Sequence, residues 1–160
     1  MEPESLLFFD SGVGGLPYLS MTRSRLPGEH YVYVADRRNF PYGEKPADEL
    51  RGLVVETMGK ALRRFRPKLV VVACNTASVA ALGALRERYA VPFVGVVPAV
   101  KPAAEHFGGG RLAVVATRGT VSGEYLRHLI QDFAANLEVE SIPVAELVDY
   151  VPISMAGDGN

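Results

Sequence analysis

The sequence predicts an α/β fold with a doubly wound parallel sheet. Short β-branched runs alternate along the chain with segments whose apolar residues recur at helical spacing. One run, residues 69–73, is apolar at consecutive positions, as a central parallel strand requires when helices cover both faces of its sheet. Alternating strands and helices of this length imply right-handed crossovers between parallel strands.

Six strands are predicted from runs of β-branched and aromatic residues. They cover residues 6–9, 31–35, 69–73, 92–97, 112–116 and 139–142. Two of the intervening helices show an apolar stripe with i, i+3, i+4, i+7 spacing, one from Leu50 to Phe65 and one from Leu126 to Leu137. A further helix is predicted after a glycine-rich loop, because Pro17 suits the first turn of a helix.

The organisation of the chain predicts two similar α/β lobes. Residues 97–102 contain two prolines and are the candidate connection between them, and the glycine run 108–110 is a sharp break soon afterwards. We therefore expect residues 1–98 to form a first lobe that carries Cys74. Residues 99–160 are expected to begin a second lobe that is incomplete within this sequence.

Composition argues against several classes of function. A net charge of -1 gives no basic stripe for nucleic acid, and the cluster of Arg63, Arg64 and Arg66 indicates a solvated helix end. The N-terminus lacks the features of a signal peptide, and the most apolar stretch, residues 69–85, falls short of a membrane span. One cysteine excludes an internal disulfide, and three histidines without paired spacing predict no metal site. We expect a cytoplasmic protein.

Polar residues are predicted to meet at one edge of the sheet. Ligands of open parallel sheets bind beyond the carboxyl ends of the strands, so the residues that directly follow each strand are the candidates. They are Asp10-Ser11-Gly12-Val13-Gly14-Gly15, Asp36 with Pro41-Tyr42-Gly43, Cys74-Asn75-Thr76, and Thr117 with Thr120. An acid, a glycine loop, an aromatic hydroxyl, a thiol and an amide together predict a polar pocket.

Each of these features also has a purely structural alternative. The glycine loop departs from the nucleotide-binding fingerprint and is alternatively a tight turn, and Asp10 and Asp36 are alternatively helix caps. A free cysteine is often a small buried apolar residue. The position of Cys74 at a strand-to-helix junction favours a function, because the unpaired amide groups of the helix favour the thiolate. Asn75 and Thr76 can donate hydrogen bonds to a carboxylate, and without a histidine nearby in sequence, proton transfer is the simplest chemistry.

Five segments of the chain resemble the signature segments of glutamate racemases, in the order that the family has them. They are Phe9-Asp10-Ser11-Gly12-Val13-Gly14-Gly15, Pro41-Tyr42-Gly43-Glu44-Lys45, Val72-Ala73-Cys74-Asn75-Thr76-Ala77-Ser78, Val97-Pro98-Ala99-Val100-Lys101-Pro102-Ala103 and Ala116-Thr117-Arg118-Gly119-Thr120-Val121. The resemblance covers the chain from about Leu6 to Val121.

The resemblance implies an amino-acid racemase, an isomerase that needs no cofactor and interconverts L- and D-glutamate with one thiol on each face of the α-carbon. One thiolate removes the α-proton and the opposite thiol returns one. Cys74 would be the acid or base on one face, and Asp10 would assist it near the substrate amine. The substrate-binding residues implied are Asp10, Ser11, Tyr42, Gly43, Asn75 and Thr76, with Thr117 and Thr120 as additional donors. The D-glutamate would supply peptidoglycan biosynthesis, and so cell-wall biogenesis and cell shape.

The sequence departs from the family pattern in its downstream part. In the family the second thiol lies in a Cys-Thr-His segment, and late helices complete the first lobe; neither occurs before Asn160. A supporting acid of the family is weakly matched by Asp149. We therefore expect these 160 residues alone to be inactive. Two alternatives stay open, namely a non-catalytic glutamate-binding or interaction module and a single-thiol relative similar to a decarboxylase. Glutamate is the expected partner, nucleic acid and membrane are not, and a homodimer is left open.

Overall fold

A computed structural model describes residues 4–144 of the chain. Its strands are β1 (Ser5–Asp10), β2 (His30–Ala35), β3 (Leu69–Val72), β4 (Phe93–Gly95), β5 (Gly110–Ala116) and β6 (Leu137–Pro143). Its helices are α1 (Leu16–Arg25), α2 (Ala47–Phe65), α3 (Asn75–Arg88), α4 (Val100–Phe107), α5 (Arg118–Val121) and α6 (Glu124–Phe133), and Tyr42–Glu44 forms a 3₁₀ turn. All six predicted strands and the three predicted helices are confirmed, with shifted ends.

Four strands form a parallel sheet in the order β2-β1-β3-β4. The two central strands, β1 and β3, are the ones whose carboxyl ends lead into Asp10 and Cys74. On one face, Leu7, Phe9 and Val70 pack against α2 and α3, and on the other, Leu6 and Phe8 pack against α1. Because helices cover both faces, the predicted doubly wound α/β class is confirmed.

The strands β5 and β6 form a separate parallel pair. Residues of β5 that point to one face, such as Val114, pack with Val100 and Ala104 of α4 and Leu126 of α6. The alternate residue Val115 is 51% exposed, so within residues 4–144 this pair buries one face only. The packing of these strands is consistent with a second α/β unit, while the division at residue 98 stays a prediction.

Two predicted boundaries differ from the observed ones. The candidate connection at residues 97–102 is shorter, because α4 already begins at Val100. The predicted stripe of the last helix runs too far, since α6 ends at Phe133 and Leu137 is the first residue of β6. Asp149 and the rest of the second lobe beyond residue 144 lie outside the described residues.

The C-terminal end of α2 explains the arginine cluster. Arg63, Arg64 and Arg66 are exposed, which confirms a solvated helix end. Arg66 follows the last turn in the left-handed conformation, with φ at 44°, and its N–H donates to the carbonyl of Leu62. Within residues 4–144 we find no helix that is both long and apolar enough to cross a membrane.

Candidate active site

A cavity of about 610 Å³ lies at the carboxyl ends of β1 and β3. Its volume is within the range of small-molecule sites. It is lined by Asp10, Ser11, Gly12, Val13, Gly14, Tyr18, Arg37, Phe40, Tyr42, Gly43, Ala73, Cys74, Asn75, Thr76 and Thr117. The structure thus brings to one cavity the predicted catalytic and substrate-binding residues Asp10, Ser11, Tyr42, Gly43, Cys74, Asn75 and Thr76, together with the additional donor Thr117. The other additional donor, Thr120, does not line the cavity and is buried, as is Asp36.

Cys74 occupies the position directly before α3 and is buried. Its Sγ lies 3.7 Å from the hydroxyl of Ser11, and the backbone N–H groups of Ala77 and Ser11 also stabilise its thiolate. Burial nevertheless raises the pKa of the Cys74 thiol, and the negative charge of Asp10 raises it further. Backbone amide groups lower the pKa of Cys74, in the direction that the sequence predicts, but burial and the charge of Asp10 outweigh them.

Asp10 ends β1 with its carboxylate buried among hydrogen-bond donors. The N–H of Ser11 donates to Oδ1 at 2.8 Å, and the N–H of Gly15 and the hydroxyl of Tyr33 each donate to Oδ2 at 2.9 Å. These bonds tie the end of β1 to the loop that starts α1. Asp10 therefore holds Gly15, the residue before α1, without being the N-cap of that helix, and it also lies in the cavity wall.

Asp36 anchors the loop that follows β2. Its carboxylate accepts hydrogen bonds from the Tyr42 hydroxyl at 2.7 Å and from the Asn39 amide at 2.9 and 3.0 Å. Burial and the bond to Asp36 raise the pKa of the Tyr42 phenol, so it remains a neutral donor. Asp36 therefore fixes Tyr42, and with it the position of Gly43 in the cavity wall.

Three threonine hydroxyls form a mutually bonded cluster, which we call the hydroxyl cluster. The Oγ1 of Thr76 lies 3.0 Å from that of Thr117 and 3.3 Å from that of Thr120, and the latter two are 3.1 Å apart. A Cβ on Gly43 would lie 2.8 Å from the Cβ of Thr117, so only glycine fits beside the cluster without displacement. The cluster joins α3 to the segment that follows β5.

This arrangement offers one proton-transfer group, one buried carboxylate and several neutral hydrogen-bond donors. Among residues 4–144 no three His, Cys, Asp or Glu side chains come together as a metal site. A thiol beside a carboxylate can exchange a proton with a carbon acid that is bound in the cavity. Hydroxyl and amide donors can at the same time hold carboxylate oxygens.

Comparison with known families decides the relationship. The family model described as Asp/Glu/Hydantoin racemase matches residues 19–154. The chain belongs to this family. Among its curated relatives, the glutamate racemase of Photorhabdus laumondii is 46% identical over 153 residues, and that of Klebsiella pneumoniae is 46% identical over 154 residues. Each alignment covers 96% of this chain, but only 53% and 54% of the relative, so the chain spans about half the length of the curated relatives that it matches.

Solved structures of the family show the same fold. The Escherichia coli glutamate racemase, crystallised with L-glutamate and the activator UDP-MurNAc-Ala, matches with a TM-score of 0.86 and 42% identity. The match covers 98% of this chain and 59% of that one. The glutamate racemase of Aquifex pyrophilus matches with a TM-score of 0.74 and 35% identity, over 88% of this chain and 56% of that one.

The cavity of this racemase-family chain also contains residues that the sequence did not single out. Tyr18, Arg37 and Phe40 line it. Arg37 directly follows Asp36 at the end of β2, so the strand-end rule could have identified it. The contact of Tyr33 with Asp10 could not be found this way, because Tyr33 lies inside β2 and reaches the site across the sheet.

Proposed function

We propose that this chain carries one half of a cofactor-independent glutamate racemase, with Cys74 as the thiol on one face of the substrate α-carbon. The observation that carries the proposal is the position of Cys74, which lies at a strand-to-helix junction in the cavity wall with Ser11 and Asp10 beside it. The family membership and the glutamate racemases that match this chain support the choice of reaction.

The raised pKa of Cys74 suits a group that must hold a proton before it delivers one. Without a ligand, burial and Asp10 favour the neutral thiol. An amino-acid ammonium group bound near Asp10 would place a positive charge beside the sulfur, which favours the thiolate. Substrate binding would therefore favour release of the thiol proton to solvent, which leaves the thiolate as the base, and transfer of the α-proton to the sulfur would restore the thiol.

The rest of the cavity suits a dicarboxylate. Asn75 and Thr76 lie in the first turn of α3, where free N–H groups and the helix dipole attract an anion. Ser11 and Gly43 would add a hydroxyl and a backbone N–H, and Tyr42 would hold the Gly43 turn. Thr117 and Thr120 would complete the donor set through the hydroxyl cluster. Arg37 adds a cation among the lining residues.

Several further features belong to the same proposal. Residues 1–98 would form the first lobe and residues 99–160 the start of the second. The D-glutamate would be used for peptidoglycan in the cytoplasm, and a homodimer is compatible with it. A two-thiol reaction needs a second cysteine, which the 160 residues do not contain. A Cys-Thr-His segment in the reading frame after Asn160 would support the two-thiol reaction, and its absence would contradict it.

The replacement of Cys74 by alanine tests the central claim. In protein expressed from the complete reading frame, we expect Cys74→Ala to slow α-proton exchange of glutamate in heavy water by about 10²-fold or more, since general acid–base groups contribute this much. Proton NMR of the α-position measures the exchange. The control is Ser24→Ala in the last turn of α1, which removes a side-chain hydroxyl outside the lining residues and should leave the rate unchanged.

The outcomes separate the three candidate functions. Undiminished exchange in Cys74→Ala would remove Cys74 from the reaction. Glutamate binding in titration calorimetry without any exchange in the unchanged protein would indicate the non-catalytic binding module. Release of carbon dioxide from an aryl-substituted malonate would indicate the single-thiol decarboxylase.

A further inference from the structure

Tyr33 connects the second strand to the carboxylate of Asp10. It lies on the α1 face of β2, opposite Phe8 in the parallel register, with its ring half-buried. Its hydroxyl donates to Oδ2 of Asp10 at 2.9 Å and lies 3.3 Å from the carbonyl oxygen of Gly12. Burial and the charge of Asp10 raise the pKa of the Tyr33 phenol, so the proton of this bond stays on the tyrosine.

The two oxygens of Asp10 are satisfied unequally. Oδ2 accepts from Tyr33 and from the N–H of Gly15, which fills the two positions that a carboxylate oxygen offers. Oδ1 accepts from the N–H of Ser11 alone among the described donors. Because Tyr33 and Gly15 occupy Oδ2, only Oδ1 of Asp10 can accept a further hydrogen bond. Ser11, whose N–H donates to Oδ1, also carries the hydroxyl that lies beside the sulfur of Cys74.

The packing around Gly15 shows that Tyr33 is held closely. A Cβ on Gly15 would lie 2.7 Å from the Cβ of Ala73 and 3.0 Å from the Tyr33 hydroxyl. The last glycine of the loop therefore admits both the Gly15 N–H and the Tyr33 hydroxyl to the same carboxylate oxygen. The nucleotide-binding fingerprint does not account for a glycine at position 15, and this close packing explains it.

A second tyrosine on the same face of the same strand provides an internal comparison. Tyr31 lies two residues before Tyr33, and its hydroxyl donates to the carbonyl of Leu26 at 2.7 Å, just after α1. Both hydroxyls donate hydrogen bonds on the face of the sheet that α1 covers, and both side chains are partly buried. Only the Tyr33 hydroxyl reaches a group of the cavity wall.

We propose that Tyr33 is a positioning residue for proton transfer at Cys74, which it influences by holding the Asp10 carboxylate in one orientation. This inference rests on the proposed function, in which Asp10 assists the thiol. Tyr33 itself does not line the cavity. Its loss should therefore change the catalytic step and the ionisation of the thiol more than it changes the fold.

The test compares Tyr33→Phe with Tyr31→Phe, each of which removes one hydroxyl from the same face of β2. In protein expressed from the complete reading frame, we expect Tyr33→Phe to lower kcat for glutamate exchange by about tenfold, because a hydrogen bond to a charged group is lost. We expect Tyr31→Phe to change kcat by less than about twofold and to lower thermal stability at least as much. Equal kcat values for the two variants would overturn the proposal.

A second measurement does not depend on catalysis. Mass spectrometry of the peptide that contains Cys74, the single cysteine of residues 1–160, follows its reaction with iodoacetamide in the complete protein, and the pH dependence of that reaction reports the pKa of this thiol alone. Tyr33→Phe should shift the midpoint of this profile, whereas Tyr31→Phe should leave it unchanged. A profile for Tyr33→Phe that coincides with the unchanged protein would overturn the positioning role.

The two measurements distinguish a failure of the racemase proposal from a failure of the proposed role of Tyr33. If Cys74→Ala stops exchange while Tyr33→Phe alters neither kcat nor the alkylation profile, the racemase proposal stands and the role of Tyr33 is lost. If the unchanged protein exchanges no glutamate but Tyr33→Phe still shifts the profile, the racemase proposal is lost and the control of Asp10 by Tyr33 stands.

Discussion

The thiol cluster, by which we mean Asp10, Ser11 and Cys74, belongs entirely to the four-stranded sheet, whereas the hydroxyl cluster joins that sheet to the segment after β5. Asp10 ends β1 and Cys74 follows β3, two neighbouring strands in direct register. Within the hydroxyl cluster, Thr76 comes from α3 and Thr117 from the residue before α5. The position of the thiol cluster is therefore set by the four-stranded sheet alone, whereas the position of the hydroxyl cluster depends on how this sheet packs against the segment that follows β5.

The two clusters also differ in their electrostatics. In the thiol cluster, a second negative charge is costly, because Asp10 and burial both raise the pKa of Cys74. In the hydroxyl cluster, three neutral groups bond to one another, and the two that line the cavity, Thr76 and Thr117, can turn their protons toward an incoming oxygen. We therefore expect the thiol cluster to control the chemical step and the hydroxyl cluster to control binding.

Among the variants that test this difference between the two clusters, we expect the largest effect at Thr117. Thr117→Val keeps the shape of the side chain and removes its hydroxyl, so the hydrogen bond to a bound carboxylate that the proposed function assigns to it would be lost. Such bonds contribute about 1.5–3 kcal/mol, and we expect KM for glutamate to rise by about tenfold or more with little change in kcat. Steady-state kinetics of exchange measures both quantities.

Thr22→Val is the matched control for this change. The Thr22 hydroxyl donates to the carbonyl of Tyr18 within α1 and takes no part in the cavity. It should leave KM unchanged. A fall in kcat at constant KM in Thr117→Val would contradict the assignment, because the hydroxyl cluster would then act on the transition state.

A smaller and more specific effect is expected from Asp10→Asn. This change removes the negative charge that helps to raise the pKa of Cys74, so the thiol should ionise at lower pH. The sign follows from charge, since a neutral neighbour makes the thiolate less costly. The midpoint of the iodoacetamide profile should therefore move to lower pH.

Asp48→Asn removes a charge of the same kind from a residue that does not line the cavity and does not shift the pKa of Cys74. Asp48 lies in the first turn of α2, where its side chain is 92% exposed and pairs with Arg51. Its profile should coincide with that of the unchanged protein. An unshifted midpoint in Asp10→Asn would show that burial alone raises the pKa of Cys74, and the thiol cluster would lose its electrostatic coupling.

The sequence predicted the strands and the residues of the cavity better than the end of the last helix and the pKa of Cys74. Strand ends could be read from β-branched runs, and the strand-end rule placed Asp10 and Cys74 in one cavity. The end of α6 was misplaced because Ala134 and Leu137 keep an apolar spacing beyond the helix, and both pack with Leu126 in the same core. Apolar spacing reports burial, and burial continues here after the helix has ended.

Properties that depend on strand pairing were beyond the sequence. Tyr33 meets Asp10 only because β2 pairs with β1 in a particular register, with Phe8 opposite Tyr33. The raised pKa of Cys74 needs the same three-dimensional information, since its causes are burial and a carboxylate remote in sequence. The left-handed conformation of Arg66 is also not encoded by a glycine, the residue that most often marks it.

We expect the smallest effect at Arg66, where a substitution should change the stability of the protein and leave both clusters unaffected. Arg66→Gly relieves a residue held at φ 44°, so we expect the free energy of unfolding to rise by about 0.5–1 kcal/mol in urea titrations. Arg64→Gly, two residues earlier in the last turn of α2, should lower it by up to about 1 kcal/mol, because glycine weakens a helix. Neither change touches the thiol or hydroxyl cluster, so kcat, KM and the alkylation midpoint should all stay constant. If Arg66→Gly altered KM, the hydroxyl cluster would be responding to the overall stability of the four-stranded unit, and changes in KM could no longer be assigned to Thr117 alone.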